Sequence, residues 1–259
     1  MNYTSVILTS MIVQMKQTFS RNMFKFTLIF GPLLTTIVLG EMYRNSTQDS
    51  FIAYVVLGAG LWNLWSCIAF SSAGDINRER YSNTLSIIFT SPTDFRLILL
   101  GKIFGNTVLA LGSFFLSIFF ATIIYRNPLY VGNWSLLIIA FLSTIIAFII
   151  MSLFVAYLLT LSRKTTLYMN CLEIPFALLW GFVFPIENLP RFIQLFSYIF
   201  PPTWAVRLLR IAIIEGSTQQ FLLNLLPLLA TTILFTILSI VLYKIIFRQT
   251  KILGTLEMA

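Results

Sequence analysis

Two groups of residues in this chain have the types and spacing to act on something beyond their own packing. The first is the polar stretch Asp75-Ile-Asn-Arg-Glu-Arg-Tyr-Ser-Asn-Thr-Leu-Ser-Ile-Ile-Phe-Thr-Ser-Pro92, caught between two apolar runs. Arg78, Glu79 and Arg80 set three charges side by side. Leu85, Ile88 and Phe89 then recur at helical steps until Ser91-Pro92 ends the helix, because the residue before a proline is pushed out of helical geometry. Polar residues at Asn77, Arg78, Arg80, Tyr81 and Thr84 can face a partner or lipid headgroups; an interfacial helix with no partner is the alternative. The second group centres on Glu173, about midway along an apolar run, with Asn170 one turn before it and Pro175 two residues after it. A lone ionisable group inside a membrane span costs about 3 kcal/mol or more. Glu173 therefore either lines a path for a polar or cationic cargo, or sits protonated and hydrogen-bonded between helices.

Neither group makes or breaks covalent bonds. With no histidine, the chain lacks the commonest general base and metal ligand. No carboxylate pair or Ser/Lys arrangement recurs at catalytic spacing, so a membrane-embedded enzyme finds no support. No catalytic and no metal-binding residues are expected. Cys67 and Cys171 both lie in apolar runs and read as inert packing.

Composition places these residues in a membrane. The 259 residues are 58% hydrophobic and 10% charged, where a soluble domain carries roughly 25% charged residues. The formal charge is +8. Its basic residues gather at the ends of apolar runs, where they anchor helices and meet anionic lipid heads. Nucleic acid is not an expected partner, since no basic stripe lies outside those flanks.

The elements follow in order. Leu8, Met11, Ile12, Met15 and Phe19 recur at steps of three and four among polar residues, which predicts an amphipathic helix in the membrane interface over residues 1–23; a frayed polar terminus is the alternative. Six apolar runs of spanning length come next, at about 24–42, 51–72, 97–125, 134–161, 166–184 and 221–247. Pro185, Pro190, Pro201 and Pro202 break the region 185–220 into short helices that do not span. Trp62, Asn63 and Trp65 lie in the second run; an aromatic-plus-amide surface suits an amphipathic or sugar-bearing ligand, and ordinary packing is the alternative. Six spans put both termini on one side. Arg44, Arg126, Arg191, Arg207 and Arg210 fall on the other side, and the remaining twelve of the 17 basic residues fall with the termini. The excess of basic residues marks the cytoplasmic side. Both termini and the loop 74–96 are expected there, in a multi-pass protein of the cell membrane. The chain has no Gly-rich phosphate loop of the G-x-x-x-x-G-K-[ST] type.

The polar stretch resembles the E-R-x-x-G-T-L-E-x-L-x-x-[ST]-P pattern of ABC-2-type exporter permeases, the six-span subunits of ATP-binding-cassette transporters. Glu79, Arg80, Thr84, Leu85, Ser91 and Pro92 match. Asn83 stands where the family has glycine, a mild change because Asn tolerates left-handed backbone. Ser86 stands where the family has glutamate, so any salt bridge fixed there is lost. Phe184-Pro185-Ile186-Glu187-Asn188-Leu189-Pro190 and Pro201-Pro202-Thr203-Trp204-Ala205-Val206-Arg207-Leu208-Leu209-Arg210 are similar to that family's outer segment of paired short helices dipping into the membrane before the last span. The resemblance covers nearly the whole chain.

The resemblance implies an all-α polytopic membrane protein with six transmembrane helices, an N-terminal interface helix, a cytoplasmic coupling helix and extracellular re-entrant helices. It implies that Arg78, Glu79, Arg80, Thr84, Leu85, Ser91 and Pro92 meet a separate cytoplasmic ATPase, which alone carries ATP and magnesium, so that this chain binds no cofactor. It implies pairing with a second copy or a paralogue. It also implies a path lined by spans two and five, where Trp62, Asn63, Trp65, Asn170 and Glu173 lie, and an outer gate near Pro185, Glu187, Arg191, Arg207 and Arg210. The Pro201–Arg210 segment looks closer to the drug-resistance branch, which implies export of lipophilic or amphipathic drugs, toxins, peptides or lipids. Export of a lipid-linked glycan or polysaccharide precursor is the alternative, and a non-transporting membrane anchor for an ATPase is a third reading.

Overall fold

The computed structural model describes residues 3–47, 51–82, 84, 93–126, 132–160, 165–215 and 217–253. No strand occurs among them. Nine α-helices follow in order: α1 (Tyr3–Phe19), α2 (Asn22–Met42), α3 (Leu57–Tyr81), α4 (Phe95–Tyr125), α5 (Trp134–Thr160), α6 (Thr165–Leu179), α7 (Arg191–Ser197), α8 (Pro201–Arg210) and α9 (Thr218–Leu253). A π-helical turn, Ile52–Val56, leads into α3, and another, Ile211–Glu215, extends α8.

Five of these elements are long and apolar enough to cross a membrane: α2, the segment Ile52–Ala69, α4, α5 and the part of α9 from Thr218 to Ile246. The apolar run expected at 166–184 forms a shorter helix. α6 has 15 residues, with Pro175 inside it, and rises about 22 Å against a hydrocarbon core of about 30 Å. The chain then turns at Trp180 and Gly181.

The segment Ile52–Ala69 is the centre of the bundle, with 78% of its residues buried. α3 packs against α2, α4, α5 and α6. α9 packs on α5 and α8, and α8 lies against α5. Every residue from Pro201 to Leu209 other than Trp204 and Arg207 is buried. That burial is the local reason this proline-rich segment folds: Pro201 and Pro202 occupy the first helical positions, where a missing N–H costs nothing. The resulting helix then hides its Leu and Ala face between its neighbours.

α1 lies along α4, and small residues allow it. A Cβ at Gly101 would come within 2.6 Å of the Ile7 carbonyl oxygen, and one at Gly105 within 2.8 Å of that of Met11. This is the G-x-x-x-G spacing that lets two helix backbones touch. The apolar face expected of α1 is divided in the structure, with Met11 and Met15 half-buried. Leu8, Ile12 and Phe19 point outward, while Gln14 and Thr18 are buried. The face of α1 that meets the protein is mixed: Val6 is buried together with Gln14 and Thr18, and the half-buried Met15 lies against Gly105 of α4.

Candidate functional site

The buried side chain of Gln14 on α1 meets the carboxylate of Asp75. Asp75, on α3, is 4% exposed. It accepts hydrogen bonds from Gln14 Nε2, from Arg21 at 3.1 Å, from Arg78, and from Asn106 Nδ2 at 3.4 Å. Gln14 also donates to Thr18 Oγ1 at 2.8 Å and to Asn106 Oδ1 at 3.1 Å. One turn further along α3, Glu79 pairs with Lys102 of α4. Three helices are thus pinned at their polar ends by side chains alone. Burial is the main reason the Arg78 guanidinium is pulled down to about 10, and the nearby Arg21 charge adds to it. Burial also lowers Arg21.

The expected cytoplasmic loop therefore begins as a helix. α3 runs unbroken through Asp75, Arg78, Glu79 and Arg80 to Tyr81, where the sequence reading ended the span near residue 72. The two carboxylates cost little because Asp75 finds partners on α1 and α4 and Glu79 finds Lys102 on α4, while Arg78 pairs with Asp75 on its own helix. Thr84 Oγ1 donates to the Glu79 carbonyl at 3.2 Å, closing the end of the helix. The Arg80 side chain and the whole of Leu85, Ser91 and Pro92 lie outside the described residues. On the far side of that stretch Asp94 caps α4 and accepts from Tyr243 of α9 at 3.1 Å, while Arg96 lies 4.1 Å from the centre of the Tyr243 ring.

Above this node a cleft of about 400 Å³ opens between α2, α3, α4 and α6. Arg21 and Arg78 stand at one end of its lining, and Thr27, Asn63, Ser66, Ser113 and Glu173 supply its other polar groups. Glu173 accepts from Ser66 Oγ at 2.6 Å. Asn63 donates to Thr35 Oγ1 at 2.6 Å, to the Ala59 carbonyl at 2.7 Å and to Ser117 Oγ at 3.2 Å. Met23, Phe24 and Leu28 of α2 give the same cleft an apolar wall.

The expected path residues thus separate. Asn63 and Glu173 share one cleft. Trp65 does not reach it: it is 2% exposed and packs edge-on against Phe148, Phe176 and Trp180, with ring centres 4.5–6.2 Å apart. Trp62 is half-buried against the hydrophobic core. The side chain of Asn170 lies outside those described.

At the opposite end of the bundle, Pro185 starts a short 3-10 turn that presents Glu187, which pairs with Arg207 at 2.9 Å. Arg191 opens α7 and is exposed. Arg210 is drawn inward, where its guanidinium lies 4.1 Å from the centre of the Tyr54 ring and donates to the Gly181 carbonyl. That carbonyl is available because Gly181 adopts φ 76°, a left-handed conformation that lets the chain turn sharply after α6. Burial pulls the Arg210 guanidinium below its ordinary range.

Sequence reasoning missed Asp75 as the hub and missed Gln14, Thr18, Lys102 and Asn106 entirely. A signal for them was present. Gln14 and Thr18, Asp75 and Glu79, and Lys102 and Asn106 are each four residues apart, so each pair shares one helix face. Three such polar pairs at the ends of three apolar helices are complementary. Among the described residues no group of His, Cys, Asp or Glu is placed to hold a metal ion.

No curated protein matches the chain. A family model described as ABC-2 family transporter protein matches residues 2–241, from α1 through both polar ends of the bundle and most of α9, and the chain belongs to that family.

Proposed function

We propose that this multi-pass permease is the membrane subunit of an exporter driven by a separate ABC ATPase, which docks at the stretch from Arg78 to Pro92 and holds the ATP and magnesium. The observation that carries this reading is the continuity of α3. The same helix that bears Arg78 and Glu79 at its polar end bears Asn63 and Ser66 on the wall of the 400 Å³ cleft. A helix transmits displacement along its length, so a push at Arg78 shifts the hydrogen bond between Ser66 and Glu173 without any intervening hinge. Asp94 and Tyr243 give the other end of the coupling stretch a hold on α9.

In this reading both termini face the cytoplasm, and α6 completes the sixth crossing together with the turn that follows it. A second copy or a paralogue closes the open side of the cleft. The cargo is lipophilic or amphipathic, a drug, toxin, peptide or lipid, as in the drug-resistance branch of the family. The cleft's apolar wall of Met23, Phe24 and Leu28 opposite Asn63, Ser66 and Glu173 supports such a molecule with one polar or cationic end. The test is Glu173→Gln in vesicles containing the permease and its ATPase. Transport of an amphipathic cation is expected to fall about tenfold, the loss of one hydrogen bond to a charged group. Unchanged export and unchanged ATPase stimulation remove Glu173 from the path.

A further inference from the structure

We propose that a second cleft, between α1 and the polar ends of α3 and α4, binds the phosphate of an anionic lipid headgroup. This cleft measures about 630 Å³ and lies on the opposite side of the Arg21–Arg78 pair from the path just described. Its charges do not balance. Among the described residues Arg21, Arg78 and Lys102 face it, against Asp75 and Glu79. Glu79 is taken by Lys102, and the one oxygen Oδ1 of Asp75 receives both arginines. One carboxylate between two guanidiniums leaves a positive charge in a partly desolvated place; burial first, and then the Arg21 charge, pull the Arg78 guanidinium down to about 10. Both arginines keep surface for a further contact: their side chains are 30% and 45% exposed.

The remaining lining suits a phosphate ester. Ser82 brings a hydroxyl group to the rim, and guanidinium forks match phosphate oxygens in geometry. A lipid is the source, rather than a free anion, because the same cleft has apolar walls at Val13 and Ile98. Beside it the outward face of α1 exposes Leu8, Ile12 and Phe19, where acyl chains would lie. The site then fastens α1 to the bilayer surface at the point where α1 is also fastened to Asp75. The inference depends on neither the exporter reading nor the sidedness of the chain, since phosphate-bearing heads line both faces of a bilayer.

The experiment titrates the full-length chain in mild detergent with short-chain phosphatidylglycerol, the matching phosphatidylcholine, and inorganic phosphate, reading bound lipid by native mass spectrometry and stability by thermal shift. Phosphatidylglycerol is expected to bind at least about tenfold more tightly than phosphatidylcholine, with inorganic phosphate unable to displace it at equal concentration. Arg21→Gln and Ser82→Asp are each expected to weaken phosphatidylglycerol about fivefold, the contribution of one charge near a lipid head. Arg21→Lys retains binding, and Arg44→Gln, at the far end of α2, leaves it unchanged. Ser82 is exposed, so its variant reports on the cleft even if Arg21→Gln fails to fold. Equal binding of the two lipids, variants indistinguishable from the parent, or full displacement by inorganic phosphate each overturn the proposal.

Discussion

The two polar ends of the bundle are held by different kinds of bond. At the Asp75 end, side chain meets side chain across long stretches of sequence: Gln14, Arg21 and Asn106 reach Asp75 from α1, the turn after it and α4. At the Arg210 end, most polar side chains bond to backbone carbonyls instead, whether near or far in sequence. Tyr43 donates to the Val183 carbonyl at 2.9 Å, Gln194 to that of Leu189 at 2.7 Å, Thr203 to that of Ser197 at 2.7 Å and Trp204 to that of Tyr198 at 2.8 Å. A backbone carbonyl survives any substitution, and most of these side chains are neutral. The first end is specific and breakable; the second tolerates change. Under the proposed coupling to an ATPase, a rigid node would pass motion into α3 while the other end can rearrange.

The largest effect tests the specific end. Asp75→Asn keeps the shape and removes the charge, which leaves the partly exposed Arg21 and Arg78 without their shared carboxylate. A loss of about 2–3 kcal/mol is expected, the charge-assisted bonds of one buried carboxylate discounted for the solvent that screens both arginines, read as a lowered unfolding temperature in detergent and faster proteolysis of α1. Adding Arg21→Met and Arg78→Met to that variant is expected to restore much of the loss, since an apolar replacement of the whole set leaves no charge unpaired. If Asp75→Asn alone is neutral, the node is not what fastens α1. Arg210→Met is the matching change at the other end. It removes the contact over Tyr54 and the bond to the Gly181 carbonyl, and also the cost of burying the charge, so a loss of about 1–2 kcal/mol is expected in the same assay.

The sequence made the long apolar helices legible because nothing else buries runs such as Trp134–Thr160. It made the short helices after Pro185 legible because prolines mark their starts. It did not reveal that α3 passes straight through the charged residues. Charge density reads as the end of a span, and only the complementary faces of α1 and α4 make that continuation cheap. Glu173 was legible because a carboxylate in an apolar run stands out. Trp65 was not, because an aromatic residue has the same appearance in sequence whether it lines a cleft or, as here, packs against Trp180. The fit of Gln14 to Asp75 spans 61 residues of separation, and periodicity on one helix carries no information about its partner.

Two smaller changes sharpen the comparison. Tyr243→Phe removes the hydroxyl that reaches Asp94 but leaves the ring on which Arg96 rests. A loss of about 1 kcal/mol is expected, together with weaker ATPase stimulation if α9 receives motion through that bond. Glu187→Gln is the smallest. Its carboxylate is 58% exposed and the Arg207 side chain 39%, so solvent screens the pair and long side chains lose freedom in making it. A change below about 0.5–1 kcal/mol is expected. Arg207 keeps its contacts with the rings of Tyr198 and Trp204 at 5.6 and 5.9 Å, so α8 should hold its place. An unfolding temperature that falls as far for Glu187→Gln as for Asp75→Asn would mean the Glu187–Arg207 pair is buried in the working assembly, against a second permease subunit, and the two ends would no longer differ in kind.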